Sequence, residues 1–132
     1  MANPTPPANV LVIDDEPMIR WATEQTLREA GYDVAVAATA AEGLALFRTR
    51  RPHVIFLDLR LPDEDGFTLL QRMKEEGRTA SAVIIMTAFS EASTASEAMR
   101  LGAYDYLKKP FAFDALEALV ARAAADTRRS AD

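Results

Sequence analysis

The sequence contains no cysteine and a single histidine, His53. Disulfides, thiolate metal sites and a cysteine nucleophile are therefore excluded, and one imidazole alone does not make a zinc centre. Long apolar runs are also missing, since no stretch approaches the ~18 residues that a membrane span requires. The opening residues, Met1-Ala2-Asn3-Pro4-Thr5-Pro6-Pro7, carry neither a basic start nor an apolar segment, so they do not read as a secretory signal. Residues 1–9 read instead as a flexible lead-in, and the chain as soluble and cytoplasmic. Positive charge is in deficit: 15 Lys and Arg against 20 Asp and Glu give a net charge of −5. That balance argues against a direct grip on nucleic acid. No P-loop is present, which sets aside an ATPase or kinase of that class.

What is there is a chain of 132 residues, 49% hydrophobic and 27% charged, the usage of one ordinary globular domain. Short apolar runs alternate with helix-like stretches. Val10-Leu11-Val12-Ile13, Val54-Ile55-Phe56-Leu57 and Ala82-Val83-Ile84-Ile85-Met86 suit strands buried on both faces. Asp33 to Val36 and Tyr104 to Lys108 read as two shorter strands. Between them, Pro17 opens a first helix with Ile19, Ala22, Thr26 and Ala30 at helical spacing, closed by Gly31. Thr39-Ala40-Ala41-Glu42 has the capping-box pattern of a second, which carries Leu44 and Phe47. A third follows the turn Leu61-Pro62-Asp63-Glu64-Asp65-Gly66 and presents Phe67, Leu70 and Met73. Ser90 is a candidate cap for a fourth, whose inward positions Ala92, Ala95, Ala98 and Met99 are mostly small. The fifth follows Pro110, with Phe113, Leu116, Leu119, Val120 and Ala123 turned inward; the domain ends near residue 125, and a polar tail, 126–132, frays.

Five strands alternating with five helices predict an α/β fold, a doubly wound parallel sheet joined by right-handed crossovers. In such sheets sites lie beyond the carboxyl ends of the strands. Polar residues stand at those ends: Asp14 and Asp15 after the first strand, Asp58 after the third, Thr87 after the fourth, and Lys108 and Lys109 after the fifth. Three converging carboxylates repel one another and call for compensating positive charge. A lysine and a hard divalent cation such as Mg2+ both answer that need, the cation through oxygen ligands. The turn at Asp63 to Gly66 does not continue into a calcium-binding loop. An ionised aspartate beside a cation and a lysine is equipped for phosphoryl transfer, with Thr87 as a hydroxyl donor.

At these residues the chain resembles a response-regulator receiver domain of two-component signalling, from about Val10 to about Ala125. The matching motifs are Val10 to Asp15, Leu57-Asp58 with Leu61 to Gly66, Met86-Thr87-Ala88, and Tyr106-Leu107-Lys108-Lys109-Pro110-Phe111. The wording Met86 to Ser90 and Gly102 to Leu107 is most similar to receivers of nitrogen-regulation-type transcriptional activators. The resemblance implies a flavodoxin-like sheet of order 2-1-3-4-5. It makes Asp58 the phosphoryl acceptor, Asp15 a direct Mg2+ ligand, Asp14 an acid acting through water, and the Arg60 carbonyl a further ligand. Thr87 becomes the switch hydroxyl, Tyr106 the switch aromatic, and Lys109 the phosphoryl-contacting lysine before a cis Lys-Pro bond. The implied partners are a sensor histidine kinase, ATPase and DNA-binding output domains fused or separate, and a second copy docked through the face from the fourth to the fifth helix.

Plainer readings stand beside these. Asp14 and Asp15 also suit a helix cap. Thr87 suits a loop hydrogen bond, and Tyr106 suits core packing with its hydroxyl outward. His53 reads as structural or exposed, Trp21 as a packing residue at the edge of its helix, Lys108 as solvated, and Arg48, Arg50 and Arg51 as a solvated helix end. An aspartate-nucleophile phosphatase needs an acid two residues after the nucleophile, where Arg60 stands. A flavin mononucleotide carrier needs a phosphate loop where Asp14-Asp15-Glu16 would repel the ligand.

Overall fold

The computed structural model describes residues 8–76, 81–88 and 92–131. The strands are β1 (Asn9–Ile13), β2 (Asp33–Ala37), β3 (Val54–Asp58), β4 (Ala82–Thr87) and β5 (Asp105–Lys108). The helices are α1 (Pro17–Glu29), α2 (Ala40–Arg50), α3 (Gly66–Glu75), α4 (Ala92–Arg100) and α5 (Phe113–Ala131), each following the strand of the same number. All strand pairs are parallel, in the order β2-β1-β3-β4-β5. The doubly wound α/β fold expected from the alternation is the fold observed.

The two-residue period of the strands sorts their side chains between two cores. Leu11, Ile13, Ile55, Leu57, Val83 and Ile85 face α2, α3 and α4, where Leu44, Phe47, Leu69, Leu70, Met73 and Ala98 meet them. Val10, Val12, Val54, Phe56, Ile84 and Met86 face the other way, against Leu27 of α1 and Leu116, Leu119, Val120, Ala123 and Ala124 of α5. Burial on both faces explains why these strands read as unbroken apolar runs rather than alternating ones.

Local chemistry sets the ends of the elements. Thr39 caps α2 by accepting from the Glu42 amide at 3.1 Å, and the Glu42 carboxylate accepts from the Ala38 amide at 3.3 Å. Gly31 and Gly102 take φ of +97° and +96° just past α1 and α4, a region that disfavours residues with a Cβ. Ser90, the candidate cap of α4, lies outside the described residues, as does Phe89.

Several expectations need correction. β1 begins at Asn9 and Ala8 is buried, so the lead-in ends earlier than residue 9. Residues 126–131 are helical rather than a polar tail: α5 continues to Ala131, with Thr127 buried and Asp126 accepting from the Tyr104 hydroxyl at 2.5 Å. Polar composition misled there, because the Thr127 hydroxyl is satisfied by the Ala123 and Ala124 carbonyls of its own helix. Met99, Phe113 and Trp21 are exposed rather than packed. His53 follows the structural of its two readings, its Nδ1 accepting from the Asn9 amide at 3.0 Å. Arg48 is not merely solvated, since its guanidinium bonds the Glu76 carboxylate at the end of α3.

Candidate functional site

The chain reverses direction across the sheet between β1 and β3, so a crevice opens where these neighbouring strands end. Asp14 follows β1 and Asp58 ends β3, which brings two acids 44 positions apart in sequence to one place. Asp14 is fully buried and Asp58 is 5% exposed. Thr87 ends β4 and is buried. Beyond β5, the Lys109 amide donates to the Thr87 carbonyl at 2.7 Å, extending the β4–β5 ladder by one step. The Lys109–Pro110 peptide bond is cis.

Lys109 is the compensating charge. Its ammonium lies 2.9 Å from Asp14 Oδ2, 3.2 Å from Asp58 Oδ2 and 3.1 Å from Glu16 Oε1. Burial works against that ammonium, yet the bonds to Asp14 and Glu16 and the charges of Asp14 and Asp58 hold its pKa above the ordinary lysine value. The Asp58 carboxyl is pushed up to about 6 by burial first and by the Asp14 charge second. Lys109 and the Arg60 amide, which donates to Asp58 Oδ1 at 3.3 Å, oppose that rise.

Oxygens of Asp14, Glu16 and Asp58 all lie within 4.8 Å of one another. This hard, anionic donor set fits Mg2+, which takes a few carboxylates and keeps its waters. Of the acids expected at the site, Asp14 and Asp58 are brought together, whereas Asp15 is exposed and outside this group. Glu16, marked in the sequence only as part of the anionic run Asp14-Asp15-Glu16, takes the third place. Its amide donates to Asp14 Oδ1 at 3.0 Å as the chain turns from β1 into α1, and its longer side chain reaches Lys109. Arg60 is exposed at its side chain and pairs with Asp65 in an isolated bridge. Tyr106, on β5, is half-buried against the core beneath α2, α3 and α4.

Residues 10–121 match the response regulator receiver domain family. The chain belongs to that family. It is 41% identical over 114 residues to the DNA-binding transcriptional regulator NtrC of Escherichia coli, covering 86% of this chain and 24% of that protein. Over 122 residues it is 40% identical to the transcriptional regulator RpaA of Synechocystis, covering 92% of this chain and 49% of the relative. Among solved structures, the receiver domain of NtrX from Brucella abortus shares 34% identity at a TM-score of 0.81, over 87% of this chain and 97% of that one. This receiver thus spans a quarter to a half of the length of these curated relatives. The likeness to nitrogen-regulation-type receivers expected from the motifs at Met86 and Gly102 is the one found. Among the described residues, no helix of the receiver is long and apolar enough to cross a membrane.

Proposed function

We propose that this receiver is a phosphorylation-dependent switch in which Asp58 accepts a phosphoryl group from a sensor histidine kinase. The observation that carries the reading is Asp58 itself, buried at a strand end, with the Lys109 ammonium paired to both its carboxylate and that of Asp14. At neutral pH, above its raised pKa of about 6, Asp58 is mainly ionised and nucleophilic. A carboxylate oxygen of Asp58 forms the new bond to phosphorus while the bond from phosphorus to the kinase imidazole breaks, its electron pair returning to nitrogen. Lys109 then gains a further anionic partner in the phosphoryl oxygens, and Thr87 offers its hydroxyl to the same group.

Asp14, Asp58 and the Arg60 carbonyl would hold Mg2+, with Asp15 or Glu16 as the remaining acid. Bound Mg2+ supplies positive charge against the transferring phosphoryl oxygens. Arg60 stands where an aspartate-nucleophile phosphatase carries its acid, so turnover of outside substrates is not part of this reading. The acyl phosphate draws Thr87 and Tyr106 toward the site and alters the surface of α4, β5 and α5. That surface would pair two copies and control transcription through ATPase and DNA-binding domains, in the cytoplasm and without direct nucleic-acid contact by this domain.

Acetyl phosphate with Mg2+ tests the assignment by intact mass. The parent is expected to gain one phosphoryl group and Asp58→Asn none. Equal labelling of Asp58→Asn would overturn the choice of acceptor.

A further inference from the structure

The loop between β3 and α3, which carries Arg60 and closes one side of the crevice, is held at its base and at its apex by different devices. At the base, Arg60 bridges to Asp65, the Gly66 amide donates to the Leu59 carbonyl at 2.8 Å, and Asp65 caps α3 through the Phe67 amide at 2.8 Å. At the apex, Glu64 pairs with Arg72 at 3.3 Å. Asp63 reaches away from α3 altogether, toward α2. Its two carboxylate oxygens accept from the Ala40 amide at 2.9 Å and the Ala41 amide at 3.1 Å, in the first turn of α2.

We propose that Asp63 is a positioning residue for the cation and phosphoryl site, fastening the β3–α3 loop to the N-terminus of α2 so that Arg60 stays aligned on Asp58. The proposal rests on the reading of Asp58 and Arg60 given above. α2 does not need Asp63 to begin, because Thr39 already caps the Glu42 amide and supplies a carbonyl to Gly43. The benefit of the second cap therefore falls on the loop. The Arg60 amide meets Asp58 Oδ1 at 3.3 Å, a long bond that a small movement of the loop would break. Asp63 is exposed, yet two backbone amides and the positive end of a helix dipole hold its carboxylate in place. The amide bonds lower its pKa below the ordinary aspartate value, so the tie persists through neutral pH.

Titration calorimetry of Mg2+ and amide hydrogen exchange, on the parent and on Asp63→Ala, Asp63→Asn and Thr39→Ala, test this. Asp63→Ala is expected to weaken Mg2+ binding about 10-fold, the scale of losing an outer support of a metal ligand. The amides of Arg60 to Asp65 should exchange about 10-fold faster without any cation present. Asp63→Asn, keeping one acceptor oxygen, should fall between. Thr39→Ala removes the other cap of the same helix turn and should leave both readouts at the parent values. Unchanged exchange and affinity in Asp63→Ala, or equal losses in Thr39→Ala, would overturn the proposal. Absence of Mg2+ uptake by the parent would instead count against the cation site, and the exchange comparison would still decide whether Asp63 orders the loop.

Discussion

Burial and the Asp14 charge raise the Asp58 carboxyl from 3.8 to about 6, and Lys109 only partly offsets them. The folded chain therefore holds this proton more tightly than the unfolded chain. The stability contributed by the protonated form is complete below about pH 4 and is lost as pH rises through about 6. Asparagine does not ionise and escapes that loss. Without divalent cation, Asp58→Asn is expected to exceed the parent in stability at pH 7 by about 1–2 kcal/mol, the gap closing near pH 4. Urea melts at the two pH values measure it, and coincident midpoints at pH 7 would contradict the electrostatic account. At this scale the sequence revealed Asp14, Asp58, Thr87 and Lys109, because each ends a recognisable strand. Glu16 and Asp63 were not legible: both are exposed acids in polar turns, and their partners lie 93 and 23 positions away.

Gly66 shows how an element's first residue serves the site. It opens α3 directly over the end of β3, and a Cβ there would lie 2.5 Å from the Asp58 carbonyl oxygen and 2.8 Å from the Leu59 Cα. Both neighbours are backbone, so the contact cannot be relieved by a rotamer change. Gly66→Ala is expected to cost about 2–3 kcal/mol, the scale of core overpacking, and to slow labelling of Asp58 by displacing the strand end. Thermal melts and the acetyl phosphate assay would check the two effects separately; an unshifted melting temperature would show that α3 can move aside freely. The lengths of helices were less legible than their number. Thr127 satisfies its hydroxyl within α5 and packs inward, so a polar segment extends a helix that composition alone would end at residue 125.

For the molecule as a whole, the β5–α5 side carries an exposed ion pair between Asp105 and Arg122 at 2.8 Å, and α4 exposes Met99. Pairing of two copies through this face upon phosphorylation is expected to double the mass seen by light scattering when beryllofluoride and Mg2+ are added. A monomer mass in both conditions would remove the pairing from the proposed switch. An Asp105→Ala variant that still doubled would place the contact elsewhere on the surface.

The pattern of apolarity is local, so the sequence alone determined the alternation of strands and helices, burial of the sheet on both faces, and the gathering of Asp14, Asp58, Thr87 and Lys109 at the carboxyl edge. Only the tertiary structure decided that Glu16 rather than Asp15 stands within reach of Lys109, and that Asp63 ties its loop to α2. These outcomes depend on distances between atoms far apart along the chain. Periodicity constrains which face a residue occupies, but side-chain reach across a crevice is set only once the elements have packed.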